Sequence, residues 1–218
     1  MAATFNHLRT PIDMATWPRK SVYEFFSAFT EPFHGICLRL DCTATRLYAR
    51  AHRIPVFIPL LQRALTASML VENLRLRIVD GAVWRYEFIH GGCVVARPNN
   101  TIGFTSFPYQ PTIVEQYQTA LPAIERTRAR LDLERTPMQN LIRFSSLPWL
   151  DFTDLSHARN FAFADSAPRI TFGKITENNG RFSMPVSINV HHALVDGLHL
   201  GLFFEHFERL LDNPEATQ

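Results

Sequence analysis

Met184-Pro185-Val186-Ser187-Ile188-Asn189-Val190-His191-His192-Ala193-Leu194-Val195-Asp196-Gly197 is the stretch from which the fold of this chain can be read. Met184, Val186, Ile188, Val190 and His192 recur at period two, with Ser187, Asn189 and His191 between them. That alternation predicts a strand with one apolar face. His192 closes the apolar face, where loss of water favours a neutral imidazole. A neutral imidazole at a strand end suits general-base work near pH 7. His191 points the other way and needs a different role. The bland alternative is a hydrogen-bonded core histidine. Gly197 can turn the chain into a helix, and Asp196 can cap that helix or meet an arginine. His191, His192 and His199 make a poor metal set: the first two oppose each other and no Cys or Glu stands at ligand spacing, so no metal is expected.

Outward from this stretch, Leu200, Phe203, Phe204, Phe207, Leu210 and Leu211 recur at helical spacing within Leu198 to Leu211. Upstream, Asn179-Gly180 is a hairpin turn between strands at Arg169 to Thr176 and Phe182 to His192. Leu141 to Leu147 is strand-like. Thr112 to about Leu133 reads as a helix that Pro122 should break. Leu74, Leu76 and Ile78 alternate with Arg75 and Arg77 as a strand, and Asp80-Gly81 joins it to Ala82 to Phe88. Ile54 to Val71 is an apolar helix with Pro55 in its first turn. Thr43 opens another helix, to about Arg53, after a strand whose Ile36, Leu38, Leu40 and Cys42 share a face. Strands mixed with helices in this way predict an α/β fold, a two-layer sandwich of a mixed β-sheet covered by helices. No repeat, linker or low-complexity tract divides the chain, so one domain over residues 1–218 is expected.

Hydrophobic residues make up 46% of the 218 and charged residues 19%, which excludes a disordered chain. The 22 basic and 20 acidic residues leave a net charge of +2, no reason to expect nucleic acid or an anionic membrane. Lys20 and Lys174 are the only lysines, which limits any lysine-based covalent mechanism to two candidates. The 18 phenylalanines can fill a core or line an aromatic pocket. Cys37, Cys42 and Cys93 fit neither a disulfide framework nor a zinc site. No signal peptide opens the chain and no apolar run approaches the roughly 18 residues of a membrane span, so the cytoplasm is the expected location.

Four segments together resemble the chloramphenicol acetyltransferases and their acyltransferase superfamily. They are His191-His192-Ala193-Leu194-Val195-Asp196-Gly197, an H-H-x-x-x-D-G motif; Ser145-Ser146-Leu147-Pro148-Trp149; Trp17-Pro18-Arg19-Lys20 with Tyr23-Glu24-Phe25-Phe26; and Ser106-Phe107-Pro108-Tyr109. The resemblance implies O-acetyl transfer from acetyl-CoA to a hydroxyl of chloramphenicol, with no tightly bound cofactor. It makes His192 the general base and Ser145 the donor to the tetrahedral oxyanion. Asp196 would form a buried salt bridge with Arg19, and Thr171 would position water beside the oxyanion. Phe25, Phe26, Phe104, Phe107, Leu155 and His157 would line the acceptor pocket. No glycine-rich phosphate loop is present, so the CoA phosphates would have to meet Arg, Lys or exposed backbone, with Lys174, three residues after Thr171, one candidate. The family is a homotrimer with active sites between subunits, which implies self-association here.

Phe26 stands where the family has a tyrosine, and Leu155, His157 and Arg169 where more aromatic or aliphatic lining is expected. Another apolar or amphipathic acceptor is therefore the second reading, and a non-catalytic ligand-binding relative the third. A 2-oxo acid dehydrogenase core would need a lipoyl module and linker, and a peptide-synthetase condensation domain about twice the length.

Overall fold

The computed structural model describes residues 5–133, 138–159 and 165–216. In chain order its elements are β1 (Arg9–Pro11), α1 (Lys20–Ser27), β2 (Phe33–Asp41), α2 (Thr43–Ala51), α3 (Phe57–Leu70), β3 (Leu76–Val79), β4 (Ala82–Tyr86), β5 (His90–Ala96), β6 (Ile102–Phe107), α4 (Ile113–Ala129), β7 (Leu141–Ser146), β8 (Arg169–Phe172), β9 (Thr176–Asn178), β10 (Arg181–His191) and α5 (Gly197–Asp212). A seven-stranded sheet runs β2-β10-β8-β7-β5-β6, with β9 paired to β10. β7 is parallel to both β5 and β8; the other pairings are antiparallel, so the sheet is mixed, as predicted. A small second sheet runs β1-β4-β3.

Burial explains the two layers. Met184, Val186, Ile188 and Val190 of β10 are fully buried, as the alternation required. Phe144 of β7 and Phe172 of β8 join them, and Phe172 meets Phe207 of α5 at 6.3 Å between ring centres. α5 buries Leu200, Phe203, Phe204, Phe207, Leu210 and Leu211, and each such side chain adds roughly 1.5–3 kcal/mol of transfer free energy. α3 is enclosed from Ile58 to Ser68, the pattern of a central helix that is apolar all round. The opposite face carries Ser145, Arg143, Thr171, Arg169, Ser187, Asn189 and His191, out of phase with the core residues. Side chains of the segment after β7, His157 and Asp165, reach Thr171, Arg143 and Arg169 on this face.

Both predicted two-residue turns form, with positive φ at Asp80 and Gly81 and at Asn179 and Gly180, the type I′ signature. Four expectations need correction. Pro122 does not break α4; the helix instead ends at Ala129, four residues early. Residues 72–75 form a 3₁₀ turn, so β3 starts only at Leu76. The strand read over 169–176 is two short strands, interrupted at Gly173 to Ile175. β5 and β6 carry little strand signal because Gly91 and Gly92 dilute it. Gly91 is required there: a Cβ would lie 2.5 Å from the Phe107 ring.

Candidate active site

β10 ends at His191, and His192 begins the turn into α5. His192 therefore does not extend the buried face. Its backbone N–H donates to Pro32 O at 2.8 Å. Its ring lies between two others: Phe26 at 3.8 Å and 6° between planes, and His34 at 4.0 Å and 29°. His34 Nε2 lies 3.0 Å from Val195 O, and a carbonyl only accepts, so this nitrogen carries the proton. His192 Nδ1 is buried with no partner among the described residues, which leaves Nε2 as the nitrogen open to a substrate.

The desolvated imidazole of the pair is His191. It is 7% exposed, and burial, then the charge of Arg159, pushes it down to about 4. The turn is built on it: the N–H groups of Leu194 and Val195 donate to its carbonyl, both at 3.0 Å, and Ala193 N–H donates to its Nδ1 at 3.3 Å. His191 is thus the neutral scaffold of the loop that presents His192.

Asp196 closes the loop. Its carboxylate accepts from Leu198 N–H at 3.1 Å as the cap of α5 and pairs with Arg19 at 2.5 Å and with His199 Nδ1 at 2.8 Å. Burial pushes the carboxyl up, but the Arg19 hydrogen bond and the charges of His199 and Arg19 outweigh it and hold it below its ordinary value. The expected pair with Arg19 is present, but it is only part-buried, with side chains 18% and 32% exposed. Breaking it costs less than breaking a fully enclosed pair.

Ser145 and Thr171 are register partners on β7 and β8. Thr171 is fully buried, and its hydroxyl lies 3.4 Å from His157 Nε2. Burial, then Arg169 and Arg159, holds His157 below its ordinary pKa. Phe104 shares this face, two residues from Ser106, which is level with Gly92 and Arg143. Phe107 does not: it is 1% exposed in the core, so its expected place in the acceptor pocket is corrected. Leu155 is half-buried in the same segment as His157. Phe25, Phe26 and Phe29 form a cluster with ring centres 5.0–5.1 Å apart, and Phe26 joins it to His192.

Thr171 is level with Ser187 of β10, so the Ser145–Thr171 row crosses β10 five residues before His192. Four of those steps lie within the strand, which at about 3.3 Å per residue is about 13 Å, and His192 follows in the turn. Within one chain the predicted base and oxyanion donor stand apart.

On the helix side of β7 and β8, a cleft of about 220 Å³ is lined by Arg46, Val56, Phe57, Ser146, Pro148, Gly173 and Ile175 among others. Lys174 is exposed beside it, its N–H bonded to Leu150 O at 2.8 Å. Sequence reading missed Arg46 and His34. His34 was in principle legible, because it continues the Ile36, Leu38, Leu40 phase toward the histidine loop, level with Val190. Among the described residues no group of three His, Cys, Asp or Glu could hold a metal, and no helix is long and apolar enough to cross a membrane.

A helix-covered mixed sheet with a capped His-His-x-x-x-Asp-Gly turn at one strand end defines an acyltransferase. The family described as chloramphenicol acetyltransferase matches residues 7–208, and the chain belongs to it. A chloramphenicol acetyltransferase of Streptomyces acrimycini is 28% identical over 212 residues, covering 94% of each chain. Chloramphenicol acetyltransferase 3 of Escherichia coli is 26% identical, covering 94% of this chain and 97% of that one. A solved chloramphenicol acetyltransferase structure superposes with a TM-score of 0.83 at 28% identity, covering 94% of this chain and all of that one. A probable dihydrolipoamide acetyltransferase from Listeria monocytogenes, at 12% identity and TM-score 0.70, shares the fold.

Proposed function

We propose that the protein transfers acetyl from acetyl-CoA to a hydroxyl acceptor at sites shared between copies of the chain, with His192 as base and Ser145 as oxyanion donor. The single observation that carries this reading is the clamped His192 ring with one free nitrogen. An alcohol is a poor nucleophile at neutral pH without a positioned base. His192 Nε2 takes the hydroxyl proton as the oxygen attacks the thioester carbonyl. The C–O bond forms, and the tetrahedral oxyanion accepts a hydrogen bond from Ser145, a contact worth about 3 kcal/mol in the transition state. The C–S bond then breaks, and the imidazolium returns its proton to the CoA sulfur.

This separation along β10 supports a shared site, in which His192 of one copy meets Ser145 and Thr171 of another. Phe25 and Leu198, 61% and 71% exposed near the histidine loop, are apolar surface that a neighbouring copy would cover. The cleft beside Ser146 suits pantetheine, since it opens on the helix side of the strands that carry Ser145 and Thr171. Arg46, with Lys174 at its rim, could meet the CoA phosphates.

Chloramphenicol is the first acceptor to try, because it is the compound for which the relatives are named. Thiol release from acetyl-CoA is expected from the native protein and to fall about 10³-fold in His192→Ala. Near-native release in a folded His192→Ala protein would remove the general-base assignment.

A further inference from the structure

A histidine that works as a base is commonly aimed by a hydrogen bond at its second ring nitrogen, which fixes both tautomer and rotation. His192 has no such partner at Nδ1 among the described residues. Its ring is held by its faces instead, with Phe26 against one at 3.8 Å and His34 against the other at 4.0 Å. The direction of Nε2 therefore depends on whatever holds those two neighbours in place.

The turn beneath the ring is braced from outside. Ala193, Leu194 and Val195 are buried, and a carbonyl in such a place needs a donor. Val195 O accepts from His34 Nε2–H at 3.0 Å, and Leu194 O accepts from Asn73 Nδ2–H at 2.7 Å. His34 comes from β2 and Asn73 from the 3₁₀ turn before β3, so two distant segments grip successive carbonyls. His34 meets the loop twice. Its face lies on the base, and its edge donates three residues further on.

Burial holds His34 below its ordinary pKa, outweighing the bond to Val195 O, and the charge of His192 acts in the same direction as burial. Asp196 acts the other way, but its carboxylate is already engaged by Arg19 and His199. The His34 ring is thus neutral at neutral pH, with its proton on the nitrogen that Val195 O requires. A neutral ring leaves His192 free to become a cation during transfer, which a second imidazolium in contact would oppose.

Resting on the acetyl-transfer reading above, we infer that His34 and Asn73 are positioning residues for the general base: they pin the histidine turn through Val195 O and Leu194 O, and the face of His34, opposite Phe26, sets the direction in which His192 Nε2 meets the acceptor hydroxyl. Neither residue touches the reacting atoms. A misplacement of about 1 Å in such a site costs on the order of 100-fold in rate, so the loss belongs in kcat.

Acetyl transfer to chloramphenicol, the probe acceptor, gives kcat and KM for His34→Ala, His34→Phe and Asn73→Leu. His34→Ala is expected to lose about 10–100-fold in kcat and Asn73→Leu about tenfold, with the KM values for both substrates within about twofold of native. His34→Phe returns a flat ring to the face of His192 without the bond to Val195 O, and is expected to recover most of the loss. A second readout needs no reaction. In protein carrying isotope-labelled histidine, the His192 ring protons, assigned by their absence in His192→Ala, are expected upfield in the ring currents of Phe26 and His34. They should move downfield in His34→Ala and return part of the way in His34→Phe. If His34→Ala does not fold, His34→Gln replaces it with the same expectation, since it keeps a donor for Val195 O and removes the ring. A native kcat in His34→Ala or Asn73→Leu overturns the inference for that residue, as does a loss confined to KM or to thermal stability. His192 resonances unmoved by loss of the His34 ring also overturn it. If the native protein acetylates nothing the transfer reading fails, and the resonances still decide whether His34 orients the His192 ring.

Discussion

At His191 one imidazole is asked to stay neutral inside the protein while its neighbour is left free to work. The folded protein binds a proton at His191 only near pH 4, whereas the unfolded chain does so near 6.5. Between those values unfolding takes up a proton, so stability present above pH 6.5 is lost progressively as pH falls toward 4. Burial sets this sign, and it acts in the same direction on His34, His90, His157 and His199, all held below their ordinary values. Urea unfolding at pH 7 and pH 5 is expected to show a clear loss of stability at the lower pH, of which His191 supplies up to about 2 kcal/mol. His191→Asn keeps an acceptor for Ala193 N–H and has no proton to gain. It should lose less stability between the two pH values than the native protein. Identical losses in the two proteins would mean that His191 is not the buried acid-sensitive group.

At the scale of elements, the arginine-rich composition acquires a structural use. Arg77 of β3 is 1% exposed and donates to four carbonyls: Leu74 at 3.0 Å, Leu76 at 2.6 Å, Gln139 at 3.0 Å and Leu141 at 2.8 Å. It ties the small sheet to the start of β7. Burial pushes its guanidinium down to about 9, which keeps it charged at neutral pH. Arg77→Met would fill similar volume but leave those carbonyls without donors, at an expected cost of about 4 kcal/mol. Arg77→Lys should recover only part of it, because an ammonium lacks the planar fork. Urea midpoints of the two variants check this; a native-like Arg77→Met would show that water replaces the guanidinium. The same position shows what the sequence left illegible. The Leu-Arg-Leu-Arg-Ile alternation reads as a strand with a wet arginine face, and nothing local reveals that one arginine is enclosed by a chain segment more than 60 residues away. β10 was legible because four buried apolar residues alternate without interruption. β5 was not, because Gly91 answers to the Phe107 ring, a contact with no local signature. The turns at Asp80-Gly81 and Asn179-Gly180 were legible because positive φ is itself a residue preference.

At the scale of the molecule, the candidate site poses a problem of assembly. His192, Ser145 and Asp196 could be picked out from their motifs, but only the pairing register shows that the Ser145 row crosses β10 about 13 Å before the strand end that leads to His192. A closed ring with a heterologous interface would solve this, each copy giving its histidine to one neighbour and its serine row to the other. Light scattering is then expected to give about three times the 25.0 kDa chain mass. A stronger test uses two inactive chains. His192→Ala retains the serine and Ser145→Ala retains the histidine. If both groups acted within one chain, co-expressing the variants would restore nothing. If each site is shared, a site is whole when its histidine comes from a Ser145→Ala chain and its serine from a His192→Ala chain. With equal and random assembly that is expected at about a quarter of the sites. Recovered thiol release near a quarter of native would establish sharing. Mixed oligomers as inactive as either parent would sink the shared-site arrangement, and the sheet would then have to bring its own histidine and serine together by a motion along the strand.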